Sequence, residues 1–518
     1  MMRVASVGPP LLGGVLLLMG WGALAAVLRG GHLVAGPAEV AGWIAANSGL
    51  LGRALGKTLT NATLGFLAGN LVAIALAGVA MIWPRLLNLI SGLALVVFCL
   101  PLIATGPILR VLMGPGDGPQ IVLAALAVYY TTLIPLLTGL RATPAVWLDL
   151  VHSYGRGRWS ELIHVRARAA LPYLFAGLQI AAPAAFLGAM VGEFTGAEQG
   201  MGVLTIRFMR ALDVPALWAI AVVAAAVSMV VYGAIGAVAR MVLQDRPPVI
   251  LSPPRGKPAS GLSRLFQPAL LIAAVLVLWW AGMALPGMNP FFAKSPQDVL
   301  AALTTAPQAA ATRDTLWTAL TETAVFLLPG YVAGLMLGAG LAIALVLVPN
   351  LSTLVMPIAV ALRSVPIVTT APLIVLFLGR GALGTISLVA AMVFFPTLVA
   401  CLHGMRQAPG QILDVFHIYA AGRLRQMLHI RVPAMLPAFF AAARMSVPAA
   451  ILSVTVVEWL TTGRGLGSLM ALSASVSDYN MLWAAVAVVT MISALCYAGV
   501  AVIERRILSV YAPEQVRP

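Results

Sequence analysis

Runs of about twenty consecutive apolar residues recur along almost the whole of this sequence, each long enough to cross a hydrocarbon core of ~30 Å at ~1.5 Å per helical residue. Few folds are open to such a chain. In a bilayer every backbone amide must find its partner inside the protein, which leaves helices and closed barrels. The strand-like alternation of a barrel is absent, so the spans are predicted to be helical. Composition agrees: of 518 residues 61% are hydrophobic and 9% charged, against roughly one quarter charged in soluble domains, and the mean hydropathy is +0.99. The expected fold is an all-α polytopic membrane protein.

The first residues, MMRVASVGPPLLGGVLLLMGWGALAA, have the basic start, apolar stretch and small residues (Ala23-Leu24-Ala25) of a secretory leader. A comparable stretch, PALLIAAVLVLWWAGMAL, begins at Pro268, where no leader can act, so both are read as spans. The net charge of +15 is spread over short loops and includes only three lysines, Lys57, Lys257 and Lys294. Membrane topology explains that pattern, and nucleic acid is not expected as a partner. Cys99, Cys401 and Cys496 all lie in apolar runs without metal-like spacing, which argues against a disulfide framework or a zinc site.

Sliding the sequence by 265 residues aligns it with itself without a gap. Pro84 meets Pro349, Pro101 meets Pro366, Pro107 meets Pro372, Gly114 meets Gly379 and Arg141 meets Arg406. The register continues through Glu193 and Glu458, Gly202 and Gly467, Asp213 and Asp478, Trp218 and Trp483, Tyr232 and Tyr497, and Arg240 and Arg505. Shared oiliness cannot align rare residue types, so the chain is a duplicated domain: residues 1–240, a Pro-rich basic linker at 241–264, and residues 265–518. Six spans are predicted in each half: near 10–29, 59–82, 86–112, 119–140, 170–195 and 215–239, then near 266–285, 319–347, 351–378, 384–404, 434–460 and 480–503. About 12 transmembrane helices result, and an even number per half makes the two six-helix repeats parallel.

Orientation follows from the Lys/Arg bias. With the N-terminus in the cytoplasm, most of the 31 basic residues fall inside: Arg3, Arg85, the loop bearing Arg141, Arg156, Arg158, Arg166 and Arg168, the linker, the loop bearing Arg406, Arg423, Arg425 and Arg431, and the C-terminal tail. Both termini are then cytoplasmic.

The two loops are polar, Arg- and His-bearing segments between apolar spans. VHSYGRGRWSELIHVRARAALP (151–172) returns as FHIYAAGRLRQMLHIRVPAMLP (416–437), preserving His152/His417, Tyr154/Tyr419, Arg158/Arg423, His164/His429 and Pro172/Pro437, with Asp149/Asp414 just upstream. A solvated basic loop would satisfy topology, but charge bias alone does not require His, Tyr and Asp in fixed places. The expected form is an Asp opening a short helix, a turn at Gly155, and a second helix ending before Pro172. Such a rigid lever suits docking into a groove of another protein.

These segments resemble the cytoplasmic signature E-A-A-x3-G-x9-I-x-L-P of permeases of binding-protein-dependent ABC importers, of the nitrate/sulfonate/taurine type with a MetI-like fold. The first copy matches with Asp149-Leu150-Val151, Gly155, Val165 and Ala167-Arg168, the second with Asp414-Val415-Phe416, Ala420, Ile430 and Val432-Pro433. Asp replaces Glu in both, the first copy lacks the Leu-Pro ending, and the second lacks the Gly. ALRSVPIVTTAPLIVLFLGRG (361–381) and VVFCLPLIATGPILRVLMGPG (96–116) resemble the Pro-rich third span of that family, and VGEFTGAEQGMGVL and VVEWLTTGRGLGSL its fifth-span ending. The resemblance implies two permease domains fused in one chain in a bacterial cytoplasmic (inner) membrane. It also implies two ABC ATPase subunits on the cytoplasmic face, coupled through Asp149, Gly155, Arg158 and His164 and through Asp414, Ala420, Arg423 and His429, and an extracytoplasmic solute-binding protein delivering cargo. ATP would be used by those subunits, and no cofactor would be bound by this chain.

GRALGKT (52–58) is close to a phosphate-cradling loop but has three residues between its glycines where four are required, and no strand precedes it. With no catalytic triad, metal-spaced His pair or carboxylate dyad, the chain is read as a transport subunit and not an enzyme. Arg363 and Arg444 fall inside predicted spans where the first half has Phe98 and Gln179. A charge there costs ~2.5–3.5 kcal/mol; these two either line the pathway and favour an anionic or polar solute, or bind helix carbonyls or head groups. Glu193 and Glu458 fall near the outer ends of their spans, either capping an outer gate with the following glycines or holding helix ends together. The rival reading is a stand-alone ion-coupled secondary transporter of parallel repeats, for which the sequence offers few buried acids.

Overall fold

The computed structural model describes residues 8–27, 34–143, 145–243, 263–285, 288–348 and 381–511, together with 371, 373, 374, 378 and 379. Among them there is no strand. The first half comprises α1 (Gly8–Val27), α2 (Pro37–Ala46), α3 (Ser48–Ile82), α4 (Leu87–Phe98), α5 (Leu102–Met113), α6 (Gly118–Arg141), α7 (Ala145–Ser153), α8 (Arg158–Glu193), α9 (Met201–Ala211) and α10 (Val214–Val242). The second comprises α11 (Ser263–Met283), α12 (Pro296–Thr304), α13 (Ala309–Leu347), α14 (Ala382–Arg406), α15 (Gly410–Ile418), α16 (Arg423–Leu460), α17 (Gly465–Ser475) and α18 (Tyr479–Tyr511). Nine helices among the described residues are long and apolar enough to cross a membrane, and α4 with α5 makes a tenth.

Two sequence expectations are corrected. The third span, predicted as one segment at 86–112, is two helices bent by 93°. The break falls at Cys99-Leu100-Pro101: Pro101 has no N–H to continue the ladder and takes an extended ψ of 98° at the start of α5. The polar helix expected to end before Pro172 instead runs straight into the fifth span as one helix, Arg158–Glu193. A π-turn occupies Leu162–Arg166, and Pro172 lies inside the α-helical stretch beyond it; the second copy repeats the π-turn at Met427–Arg431. The predicted span at 351–378 lies almost wholly outside the described residues, as do Arg363, Pro366 and residues 244–262 of the linker.

Between apolar helices in lipid there is little hydrophobic drive, so close packing depends on small residues. α6 lies between α3 and α8, and α14 between α13 and α16. A Cβ added at Gly69 of α3 would stand 2.6 Å from the Ala125 carbonyl of α6. Its counterpart Gly334 of α13 stands in the same relation to the Ala390 carbonyl of α14, also 2.6 Å. The repeat therefore reproduces itself in backbone contacts.

The two halves meet in an apolar cluster containing Ile103, Val191 and Phe194 from one and Leu388, Val456 and Val457 from the other. Val191 and Val456 are equivalent under the 265-residue shift and occupy the last turns of the fifth spans. Equivalent ends meet only if the spans run in the same direction, which is the parallel arrangement expected of an even number of spans per half.

Candidate functional site

At one end of the bundle each half presents a short helix, a left-handed turn and the start of a long span. α7 ends with Gly155 at φ +66°, where the Gly155 N–H donates to the His152 carbonyl (2.8 Å) and the Arg156 N–H to the Val151 carbonyl (3.2 Å). α15 ends the same way at Ala420, φ +49°, with its N–H on His417 (2.9 Å) and that of Ala421 on Phe416 (2.9 Å). Gly is the natural residue in this left-handed cap. Ala holds the same conformation at a cost of about 1 kcal/mol, so the second signature's missing Gly changes strain and not geometry.

Asp149 and Asp414 were expected to open their helices; each is the fifth residue instead, and exposed. Pro409, at φ −59° and ψ 122°, occupies the N-cap of α15. Arg158 starts α8 and donates to the Ile82 carbonyl at the end of α3 (3.1 Å), satisfying an orphan helix terminus. His164 and His429 fall in the two π-turns, where each Nδ1 lies 3.1 Å and 3.0 Å from the carbonyls of Ser160 and Arg425. Arg423 starts α16 and lines a cavity beside the end of α13. Within each copy the lever residues lie along one helix–turn–helix segment, and Arg158 joins its lever to the second span.

At the opposite ends of α8 and α16 lie Glu193 and Glu458, 1% and 2% exposed. Glu193 Oε1 accepts from the Thr58 hydroxyl (2.7 Å) and Oε2 from the Gly202 N–H (2.7 Å), while Thr58 Oγ1 accepts from the Met201 N–H (2.9 Å). In the second half Glu458 Oε2 accepts from the Gly467 N–H (2.8 Å) and Thr323 Oγ1 from the Leu466 N–H (2.9 Å). The glycines are obligatory by space: a Cβ at Gly202 would stand 2.5 Å from the Met190 carbonyl. Each knot ties three elements together, the second span, the end of the fifth and the helix after it. Sequence reasoning found the glutamates and glycines but missed Thr58 and Thr323, although the two stand in the same 265-residue register.

Around the knots the copies diverge. Lys57 pairs with Asp117 (2.6 Å), and it lies inside α3, so GRALGKT is helix and not a loop. Its counterpart Glu322 accepts from the Gly465 N–H (2.8 Å).

Arg444 is buried in α16 and ion-paired with Glu504 of α18 (2.8 Å), its guanidinium 5.6 Å from the Tyr497 ring centre. Tyr130 of α6 lies against Tyr497 and stacks on Phe98 (4.1 Å), so this polar group sits where the halves meet. Glu504 was missed because the predicted span stopped one residue short of it. The first half has Gln179 and Ala239 at the corresponding positions.

The sequence model of a family described as "Binding-protein-dependent transport system inner membrane component" matches the chain twice, over residues 69–246 and 330–509. A protein of Haemophilus influenzae named "Probable ABC transporter permease protein" is 29% identical over 237 residues, 46% of this chain and 94% of that protein. The riboflavin transport system permease protein RibX of Chloroflexus aurantiacus is 26% identical over 267 residues, 51% of this chain and 97% of its own. The taurine transport system permease protein TauC of Escherichia coli is 25% identical over 237 residues, 46% of this chain and 86% of its own.

Proposed function

Because the chain belongs to the family of binding-protein-dependent transport system inner membrane components, carrying that domain twice, we propose that it forms the whole solute pathway of an ABC importer. In this reading separate ATPase subunits dock on the α7 and α15 levers, and an external binding protein delivers a small polar or anionic solute at the opposite end. The charge pattern supports the sidedness: Arg141, Arg156, Arg158, Arg166, Arg406, Arg423, Arg425 and Arg431 gather at the lever end, as the positive-inside rule expects of a cytoplasmic face. The names of relatives for riboflavin and taurine transport support a small polar cargo. A stand-alone ion-coupled carrier would leave the duplicated levers without a task.

One observation carries the mechanism. Each lever is continuous with a single helix whose far end holds both a Glu knot and the apolar closure between the halves. At ~1.5 Å per residue, a 36-residue helix such as Arg158–Glu193 spans about 54 Å with no break in its hydrogen-bonded run apart from the π-turn at Leu162–Arg166 and the prolines Pro172 and Pro183. Drawing the two levers together as partner ATPases close on ATP would rock α8 and α16 as rigid rods and part Val191 and Phe194 from Val456 and Val457. The described conformation, closed at the knot end, then corresponds to the inward-facing state. ATP hydrolysis belongs to the partners, and the role of this chain is mechanical.

The test is reconstitution in lipid with the ATPase subunits and binding protein. Arg158→Ala and Arg423→Ala should insert normally but lose solute-stimulated ATPase activity and transport. Full stimulation in both variants, or solute transport by the chain alone on an ion gradient, refutes the coupling role.

A further inference from the structure

Near the second lever a cavity of about 510 Å³ opens between the end of α13 (Val346, Leu347), His417 of α15, and Arg423, Gln426 and Arg431 of α16. Three basic or protonatable side chains therefore face one space. Among the described residues no carboxylate pairs with any of them.

The first lever provides an internal control, because the counterparts of the polar lining residues are His152, Arg158, Glu161 and Arg166. The decisive difference is Glu161 where the second copy has Gln426. Glu161 is 5% exposed, and its carboxylate is bracketed by His152 Nε2 and by an Arg166 nitrogen at 3.4 Å. Arg166 also donates to the Leu140 carbonyl (3.0 Å). Gln426 instead turns its amide to the Ala421 carbonyl (3.0 Å). One copy of the site is thus filled by its own acid, and the other keeps the same His and Arg bracket without one.

We propose that the second cavity receives a carboxylate from outside the chain: an Asp or Glu side chain of the ATPase subunit that docks on the α15 lever. This inference rests on the coupling reading above. A carboxylate is favoured over a phosphate because the first copy already seats one between the same two residue types. Like charges around a cavity repel, and desolvating them on docking is unfavourable unless an opposite charge arrives with the partner. The two ATPase contacts are then chemically unequal, the first self-neutralised and the second completed by the partner.

Full-length protein in nanodiscs, titrated with its ATPase subunit and read by native mass spectrometry and binding isotherms, tests this. Wild type should bind two subunits. Gln426→Glu, which supplies the acid internally, should weaken one of the two sites about tenfold, or ~1.4 kcal/mol, and leave the other unchanged; Gln426→Ala should leave both. Arg431→Glu should weaken the same site, and binding should return when one acidic residue of the ATPase is changed to Lys. Unchanged binding by Gln426→Glu overturns the proposal while the coupling reading stands. Absence of any ATPase binding by wild type overturns both. Unchanged binding together with loss of a co-purifying anionic phospholipid assigns the cavity to a lipid phosphate and equally overturns it.

Discussion

Gly467→Ala tests the knot at the end of α16 most sharply. The added methyl would lie 2.2 Å from the Thr455 carbonyl oxygen, 2.7 Å from Glu458 Cβ and 2.9 Å from the Thr455 carbonyl carbon. Two of those three atoms are backbone inside a helix and cannot swing aside. Restoring ordinary contact requires α17 to retreat by more than about 1 Å, since carbon atoms pack best at ~3.5–4.0 Å. That movement breaks the Gly467 N–H bond to Glu458 (2.8 Å) and strains the Leu466 N–H bond to Thr323 (2.9 Å). Losing that bond leaves a buried polar group unsatisfied at about 1–3 kcal/mol, and overpacking adds ~1–3 kcal/mol. A total near 3–5 kcal/mol follows. At about 2–4 °C per kcal/mol for a unit of 150–250 residues, the apparent melting temperature of the protein in nanodiscs should fall by at least several degrees. Gly499→Ala is the matched control, because no atom lies within 4 Å of its added methyl; there the helix should be unharmed or slightly stabilised. Equal melting temperatures for Gly467→Ala and Gly499→Ala would refute the steric reasoning.

Ala420→Gly should relieve about 1 kcal/mol of left-handed strain and Gly155→Ala should add as much, read as opposite changes in amide exchange over residues 417–421 and 152–156. Arg444→Met alone removes the cation paired with buried Glu504 and should destabilise by roughly 3–5 kcal/mol, whereas Arg444→Met with Glu504→Leu should recover most of the loss; a double mutant no better than the single one would show that the pair does not act as a unit. With the three native cysteines replaced, Val191→Cys and Val456→Cys should be joined by a short bis-maleimide, since both lie in the closure between the halves. The join should abolish ATP-driven transport while sparing ATPase binding; transport surviving it would mean that the closure does not open.

Much of this architecture was legible in the sequence because membrane burial and duplication each leave strong linear marks. Apolar run length announces a span, and register announces a repeat, so α6, α14 and the parallel relation of the halves follow directly. The glutamates of the knots could be read from the Glu-then-Gly-x-Gly pattern. Their hydroxyl partners could not, because Thr58 and Thr323 stand 135 residues upstream of those glutamates and look like ordinary helix residues. The levers were visible as polar repeats, yet their helix starts and the passage through Pro172 were misread, since local propensity marks Pro as a stop whereas helices packed in a membrane tolerate it.

What the sequence determined by itself was the solvent, the places of the long described spans, the duplication and the end of the bundle where basic charge collects, all properties that depend on residue type and spacing alone. What only the tertiary structure decided was pairing. It set Arg444 against Glu504 across two helices, tied Glu193 and Glu458 to the Gly202 and Gly467 amides, and left His417, Arg423 and Arg431 around a cavity while pairing their counterparts His152 and Arg166 with Glu161. The physical reason is that a charge is written in one residue, whereas its neutralisation depends on a distance that no linear pattern contains.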